Sequence, residues 1–467
     1  MNSEQRLYIV NDSKEKDETE FPPGLLGKIA QFILDSAPRQ ERDIALAGAI
    51  AYLAGIVGNA FNINGAGLNQ YILYLAPTGI GKDAVSEGVS ALNNAVWYSH
   101  SSEPFAHSGA ELVSASGLIK LMARNTCNLT IVGEFGKKMR DMANAKNTHL
   151  HGLGRTILQL YSKSGKNGSF DPLAYSDSEK VTKRIERPSL TLLGESVPEG
   201  FYESLDETLI VDGLLPRFMV FEIKGNRSYL NKGAKEATVS LELANDVQSC
   251  MATSNTIRNQ IGAYEVSVEA DAEVLFEQFD RWTTDLINKS NEVSRQLWNR
   301  AHLKALKLAA LRAVGENWQN PVVTLAHTMW ATHLIVAQTN NLINRFANGD
   351  VGEVEGNQVK QQNEVIRVIR EYNSRPWLET KKYHGDEAFH KHSVITFADI
   401  QQRLSATAAF RKDRLGAQMA LERTVKSLIS AFVIREISST QMMEKYGKAP
   451  RAFCVSDPAI IVNGLSA

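Results

Sequence analysis

The sequence predicts an α/β core flanked by helical regions and closed by a small C-terminal module of helices and strands. Three observations predict it. The apolar, β-prone run Tyr71–Leu75 breaks into a glycine-bearing turn and resumes as a helix start at Asp83-Ala84-Val85. Two further apolar runs, Asn128–Val132 and Ser189–Leu193, stop at the acidic residues Glu134 and Glu195. Beyond Ser267 the apolar residues recur at helical spacing as far as Phe346.

Bulk properties narrow the classes. A chain of 467 residues, 43% hydrophobic and 22% charged, has room for two or three domains with a large core. Cys127, Cys250 and Cys454 lie far apart without CxxC spacing, which argues against a disulfide scaffold or a zinc site and fits a reducing cytosol. The first 20 residues are polar and charged, so they read as a disordered arm rather than a signal peptide. No apolar run approaches the roughly 20 residues that span a bilayer, so a membrane partner is not expected and the expected location is the cytoplasm. With a net charge of −1, any nucleic-acid contact must be a local patch.

Residues 21–65 read as an N-terminal helical region: LLGKIAQFILDSA, then RDIALAGAIAYLAGIVGNAF, which is apolar enough to be nearly buried. A Gly- and Asn-rich turn leads to the core, residues 66–232. Its opening strand runs into Ala76-Pro77-Thr78-Gly79-Ile80-Gly81-Lys82-Asp83. Strand, glycine turn and a helix start ending in Gly-Lys is the P-loop arrangement, with Ala76 in place of the usual first glycine. Gly79 and Gly81 let backbone N–H groups curl inward onto phosphate oxygens, the helix N-terminus adds positive charge, and Lys82 reaches the β- and γ-phosphates. The implied ligands are ATP and Mg²⁺. Where Ser or Thr normally ligates the metal, this chain has Asp83.

The run Asn128–Val132 ends in Gly133-Glu134, about 50 residues after the P-loop. That is the place of a Walker B element, whose Glu polarises the attacking water. The usual preceding Asp is replaced by Gly133, so the expectation is that Asp83 supplies the missing metal-side oxygen. The alternative for Glu134 is a surface glutamate at a strand end. Residues 137–187 carry 11 Lys/Arg against 5 Asp/Glu. Lys163, Lys166, Lys180, Lys183 and Arg184 are therefore candidate DNA-phosphate contacts, a solvated face being the alternative. The strand Ser189–Ser196 follows, with Glu195 or Ser196 as the candidate sensor of the γ-phosphate. Arg217, in Asp212-Gly-Leu-Leu-Pro-Arg-Phe218, stands where a trans-acting arginine finger sits; a surface Arg or a pair with Asp212 is the alternative.

Residues 233–346 read as an irregular, partly helical link (233–265) followed by a helical lid, in which Arg300 could reach back to nucleotide or stay exposed. Residues 347–392 read as a flexible linker and one helix. Residues 393–467 read as a winged helix: helices Phe397–Leu404 and Ala417–Phe432, strand Val433–Ile437, a basic turn with Lys445, Lys448 and Arg451, and strand Ala452–Val455. Arg423 and Lys426 would face a DNA groove, although such modules also serve purely as protein contacts. His149/His151 and His390/His392 read as loop positions rather than metal ligands.

In this order the chain resembles the helicase-like P-loop ATPases of phages and mobile elements, a group that includes domains of unknown function. The resemblance is carried by FPPGLLGKI (21–29), APTGIGKD (76–83), IVGEFG (131–136), DGLLPRF (212–218) and NRAHLKALKLA (299–309). The Leu-Leu-Pro-Arg-Phe run is also similar to the arginine-finger region of minichromosome-maintenance helicases, of the AAA+ class. The resemblance implies an α/β P-loop NTPase core, AAA+ or RecA-like, with Lys82 as phosphate-binding lysine, Glu134 as catalytic glutamate and Arg217 as finger. It further implies a DNA helicase or translocase of phage or mobile-element replication in a bacterial host cell. That motor would be a homo-oligomeric ring, expected hexameric, threading single-stranded DNA and meeting other replication proteins. A nucleotide-switched helicase loader is the alternative function, and an ATPase of an anti-phage system shares the same chemistry.

Overall fold

The computed structural model describes residues 20–100, 107–108, 112–144, 147–171, 183–205, 210, 212–225, 227–347, 354–380, 386–411, 413 and 416–456. All but one residue of the N-terminal arm and candidate Lys180 lie outside them. The chain divides into two compact units, with the boundary at Gly352/Glu353.

The first unit opens with helices α1 (Leu25–Ser36) and α2 (Arg42–Val57). The core then runs β1 (Tyr71–Leu75), α3 (Ala84–His100), β2 (His107–Ser108), α4 (Ala115–Arg124), β3 (Cys127–Val132), α5 (Phe135–Ala143), α6 (Thr148–Leu160), β4 (Ser189–Ser196), α7 (Pro198–Ser204) and β5 (Phe218–Glu222). The five strands form one parallel sheet in the order β2-β3-β4-β1-β5. Strand β4 is thus interposed between β1 and β3. Alternation along the strands divides the core in two. Ile72 and Tyr74 of β1 join one apolar cluster with α1, α2 and α3; Tyr71, Leu73 and Leu75 join another with α4, α5 and α6. A sheet covered on both faces explains why these strands read as continuous apolar runs. The register aligns Leu75 with Ser196 and Glu222, and Val132 with Gly194, so the carboxyl ends of four strands finish together.

The unit continues with α8 (Leu241–Thr256), α9 (Ala270–Lys289), α10 (Glu292–Trp298), α11 (Ala301–Glu316) and α12 (Leu325–Ala347). The partly helical link expected over 233–265 contains helix α8, capped by Ser240, whose side chain accepts from Leu243 N. One expectation is corrected here: residues 233–346 do not make a separate lid, since Leu306 and Val314 of α11 and Ile335 of α12 share the cluster of α1 and α2. Helix α11 lies at the amino ends of the strands. Its Lys304 Nζ donates to Phe218 O at 3.1 Å, and its Lys307 Nζ to Asn69 Oδ1 at 2.7 Å. The apolar stripe read as a lid face is core, because both sheet faces need covering.

The second unit contains α13 (Val354–Ser374), β6 (Ile395–Thr396), α14 (Phe397–Leu404), α15 (Gly416–Ser430), β7 (Ile434–Ile437), α16 (Ser439–Tyr446) and β8 (Ala452–Val455). Its antiparallel sheet has the order β6-β8-β7. Helix α13, assigned above to the linker, belongs to this core: Val365, Val368, Ile369 and Tyr372 form one stripe against Ile400, Leu421 and Phe453. The connection between the last two strands begins with helix α16, which takes Lys445, while Lys448 and Arg451 follow it in the expected basic turn. Ser438 and Gln441 form a reciprocal capping box, and Gly447 closes the helix at φ 67°. His149 and His151 lie on α6 and His390 on a short helix, so these positions are helical rather than loops.

Candidate functional site

The turn after β1 leaves a row of unengaged donors. Ala76 is buried and its N–H donates to Ser196 O at 3.0 Å, so it continues the sheet, and Pro77 has no N–H. Gly79 and Gly81 then take φ 82° and 89°, which only glycine adopts without strain. Among the described residues, none of the N–H groups of Thr78, Gly79, Ile80, Gly81, Lys82 or Asp83 is engaged in a backbone hydrogen bond. Six such donors ahead of helix α3 make an electropositive stretch of backbone. Ile80 is buried and anchors the loop, while Thr78 and Asp83 are exposed.

Lys82 is half-buried at the carboxyl end of the sheet. Burial pulls its ammonium below the usual lysine value, against the opposing pull of Glu195, Glu134, Asp83 and Glu199. The predicted lysine, metal-side aspartate, catalytic glutamate and sensor glutamate therefore lie near one another, drawn from three segments. Two of those segments, 133–136 and 194–196, interlock through glycines. A Cβ at Gly133 would stand 3.3 Å from Glu195 Oε1, one at Gly136 would stand 2.5 Å from Ser196 Oγ, and one at Gly194 would run into the Phe135 ring at 2.6 Å. Glu134 itself adopts φ 47°, ψ 37°, left-handed for a residue with a side chain, at the N-cap of α5. Backbone strain of this kind costs about 1–3 kcal/mol. It turns Glu134 outward beside an open cleft of about 850 Å³ lined also by Ser114, Lys137 and His149. Ser196, the second candidate sensor, is buried against Gly136, so Glu195 is the polar group of β4 that faces the loop.

Residues not marked in the sequence complete this end of the sheet. Tyr74 Oη lies 2.7 Å from Glu195 Oε2 and 3.0 Å from Lys82 O, and burial with the Glu195 charge raises its phenol well above the usual value. The Arg227 guanidinium sits 3.7 Å from where a Gly79 Cβ would be, and Arg39, donating to Ser228 O at 2.7 Å, lies against Gly81. From the helical region it is Arg345, not Arg300, that reaches the carboxyl end, paired with Glu222. Tyr74 was hidden because its position in an apolar strand reads as core. Arg39 and Arg227 stand in loops with no motif to flag them.

Arg217 and Arg300 lie together at the other end. Arg217 precedes β5, donates to Gly213 O rather than pairing with Asp212, and lies over the Tyr161 ring at 5.7 Å. Burial and the Arg300 charge pull it below the usual arginine value. The length of β1 alone, about 13 Å, separates it from the glycine loop at 78–83 of the same chain. Arg300 therefore does not reach its own chain's loop, because α11 begins at the amino ends of the strands.

Among the basic candidates, Lys163 and Lys166 are exposed on a segment packed against the Phe61–Gly67 hairpin. Lys183 is exposed beside a two-stranded ribbon, Ser169–Phe170 with Ile185–Glu186, just before β4. Arg184 pairs with Glu186 at 2.8 Å. In the second unit Lys426 is exposed, while Lys448 pairs with Asp386 at 2.9 Å. Arg423 is largely buried, holding Asp413 at 2.8 Å and Gln361 at 3.0 Å, so it supports the fold instead of facing a groove. Its place two residues after the buried Ala420-Leu421 of α15 could not reveal Asp413, which lies in the segment before that helix.

For a divalent ion, no group of three or more His, Cys, Asp or Glu among the described residues could hold one unaided. Mg²⁺ at a nucleotide site needs only one or two carboxylates, with phosphate and water oxygens completing six. Asp83 and Glu195, both close enough to act on Lys82 and Tyr74, fit that requirement. No helix among the described residues is long and apolar enough to cross a membrane. No protein-family model matches the sequence, and no curated protein matches it. Among solved structures, a chain of "Structure of Drosophila ORC bound to DNA" aligns over 98% of this chain and 97% of that one at 12% identity, with a TM-score of 0.23. A superposition that loose carries no argument.

Proposed function

We propose that this protein binds and hydrolyses ATP at the carboxyl end of its parallel sheet, as a P-loop NTPase, and couples the cycle to movement on DNA. The observation that carries the reading is the convergence of unengaged loop donors, Lys82 and the carboxylates of Glu134, Asp83 and Glu195 at the ends of three adjacent strands. Phosphates are the ligand that both the donor row and the lysine suit. The interposed strand β4 supports the same class, since it sets Glu195 between the loop and Glu134.

The roles follow from position. The 78–83 N–H groups and Lys82 hold the β- and γ-phosphates. Glu134, turned into the open cleft, takes the proton of the water that attacks the γ-phosphorus as ADP leaves. Asp83 and Glu195 would hold Mg²⁺, which would offset the charge that develops on the phosphate oxygens. Arg217, on the opposite end of the sheet from Lys82, can serve only a neighbouring subunit's site, which supports a ring with sites between subunits. It would have to leave the Tyr161 ring to do so. Lys163, Lys166 and Lys183, exposed at the amino ends of the strands, are the surface that would grip single-stranded DNA by its phosphates. The second unit, with helices α13 to α16 and a β6-β8-β7 sheet, suits a winged-helix recruitment module. A second reading, a nucleotide-switched loader, is favoured by two observations: Arg217 is folded inward, and Arg184 and Lys448 are paired with carboxylates.

Steady-state ATP hydrolysis with and without single-stranded DNA separates the readings. DNA-stimulated turnover abolished in Lys82→Ala and in Arg217→Ala is the motor's expected result. Slow turnover, indifferent to DNA and to Arg217, contradicts the motor and leaves the switch.

A further inference from the structure

The strand that carries the catalytic glutamate lacks the aspartate that ordinarily stands before it, and the vacancy has an occupant. Gly133 offers no side chain, and the space its Cβ would enter is bounded by Glu195 Oε1 at 3.3 Å. That carboxylate comes from the neighbouring strand β4, one position past the Val132–Gly194 pair. Its other oxygen, Oε2, is held by Tyr74 Oη at 2.7 Å, which fixes the orientation and leaves Oε1 directed at Gly133. An aspartate at 133 would crowd a second carboxylate onto this one, so glycine at 133 and glutamate at 195 are a matched pair.

A carboxylate is also a poor direct partner for a γ-phosphate. Two anions at hydrogen-bond distance repel unless a cation lies between them. The ordinary occupant of a strand-end sensor position is a neutral or cationic donor, and Glu195 is neither. The conflict disappears if the group it meets is the metal. We infer that Glu195 supplies the carboxylate oxygen to the nucleotide's Mg²⁺ that position 133 supplies in other P-loop enzymes, with Asp83 in the place of the loop hydroxyl. This rests on the nucleotide-binding reading above. It assigns to Glu195 the compensation for Gly133 that the sequence suggested for Asp83, because the side chain beside Gly133 is that of Glu195.

The test uses the full-length chain, Mn²⁺ as the probe metal and a non-hydrolysable ATP analogue. Mn²⁺ shares the preference of Mg²⁺ for six oxygen ligands. Its affinity for the protein–nucleotide complex is read by electron paramagnetic resonance, and nucleotide affinity in EDTA is read separately. Glu195→Gln should weaken Mn²⁺ at least tenfold while metal-free nucleotide affinity is unchanged or tighter, which also shows that the variant is folded. Gly133→Asp alone should weaken Mn²⁺ as well, and the exchange Gly133→Asp with Glu195→Ser should restore it. Full Mn²⁺ affinity in Glu195→Gln would overturn the inference, as would an exchange variant that binds nucleotide in EDTA yet recovers no Mn²⁺. A wild-type chain that binds no nucleotide with or without metal would instead remove the nucleotide reading, and this inference with it.

Discussion

At the scale of single residues, glycines carry more of the site than its charged groups reveal. Gly133, Gly136 and Gly194 each make room for a neighbour from the other strand, and the motif Gly-Glu-Phe-Gly closes on Gly-Glu-Ser like a clasp. Gly194→Ala would place a methyl 2.6 Å from the Phe135 ring. Overpacking of this kind is expected to destabilise the chain by about 1–3 kcal/mol, read as a lower denaturant midpoint. Phe135→Leu in the same chain should recover part of it. An unchanged midpoint in Gly194→Ala would show that the ring moves freely, and the clasp would not be rigid. That Lys82, Asp83, Glu134 and Glu195 stand at or just beyond the carboxyl ends of strands was legible in the apolar runs before them. Their relation was not, since the Gly133–Glu195 contact depends on strand adjacency, which no single sequence window contains.

At the scale of elements, strand and helix positions were legible and their partners were not. The strands Tyr71–Leu75 and Ser189–Ser196 stand where the apolar runs placed them. Helix α11 was read as a lid face, yet it lies against the amino ends of β1 and β5 and buries two lysines. Lys304 and Lys307 are fully enclosed, and burial pulls their ammonium groups down to about 8 and about 7. Lys307 keeps Asn69 and the Tyr161 ring, 4.3 Å away, as partners. The consequence has a definite sign. Between about pH 7 and the unfolded lysine value near 10.4, the unfolded chain holds a proton on Lys307 that the folded chain lacks, so stability rises with pH across that window. Lys307→Met should flatten that rise by about 1.4 kcal/mol per pH unit, and should leave the variant relatively more stable at pH 6 than at pH 10. Chemical denaturation at three pH values checks this. An identical slope in both chains would mean that Lys307 stays charged in the fold.

At the scale of the whole molecule, the sheet separates two jobs. Its carboxyl end gathers the loop donors, Lys82 and the carboxylates; its amino end gathers Arg217, Arg300, the buried lysines of α11 and the exposed Lys163 and Lys166. Strand polarity enforces this division, because parallel strands present all their carboxyl ends on one side. A cation from the far end serves a phosphate only in another copy of the chain, so the proposed chemistry and the proposed assembly are linked. The second unit has its own core around Ile369, Leu421 and Phe453, and its basic residues Arg423, Lys448 and Arg451 are bound to carboxylates within it. What the sequence presented as a basic wing is, in the fold, largely internal ion pairing, which composition cannot distinguish from a free patch.

The central claim is that triphosphate binds at the carboxyl end of the sheet. Equilibrium titration of a fluorescent ATP analogue against the wild-type chain and Lys82→Ala tests it most directly. The account predicts saturable binding to the wild type, displaced by ATP, and at least a tenfold loss in Lys82→Ala with the fold intact. Equal affinity in the two chains, or none in the wild type, would contradict it.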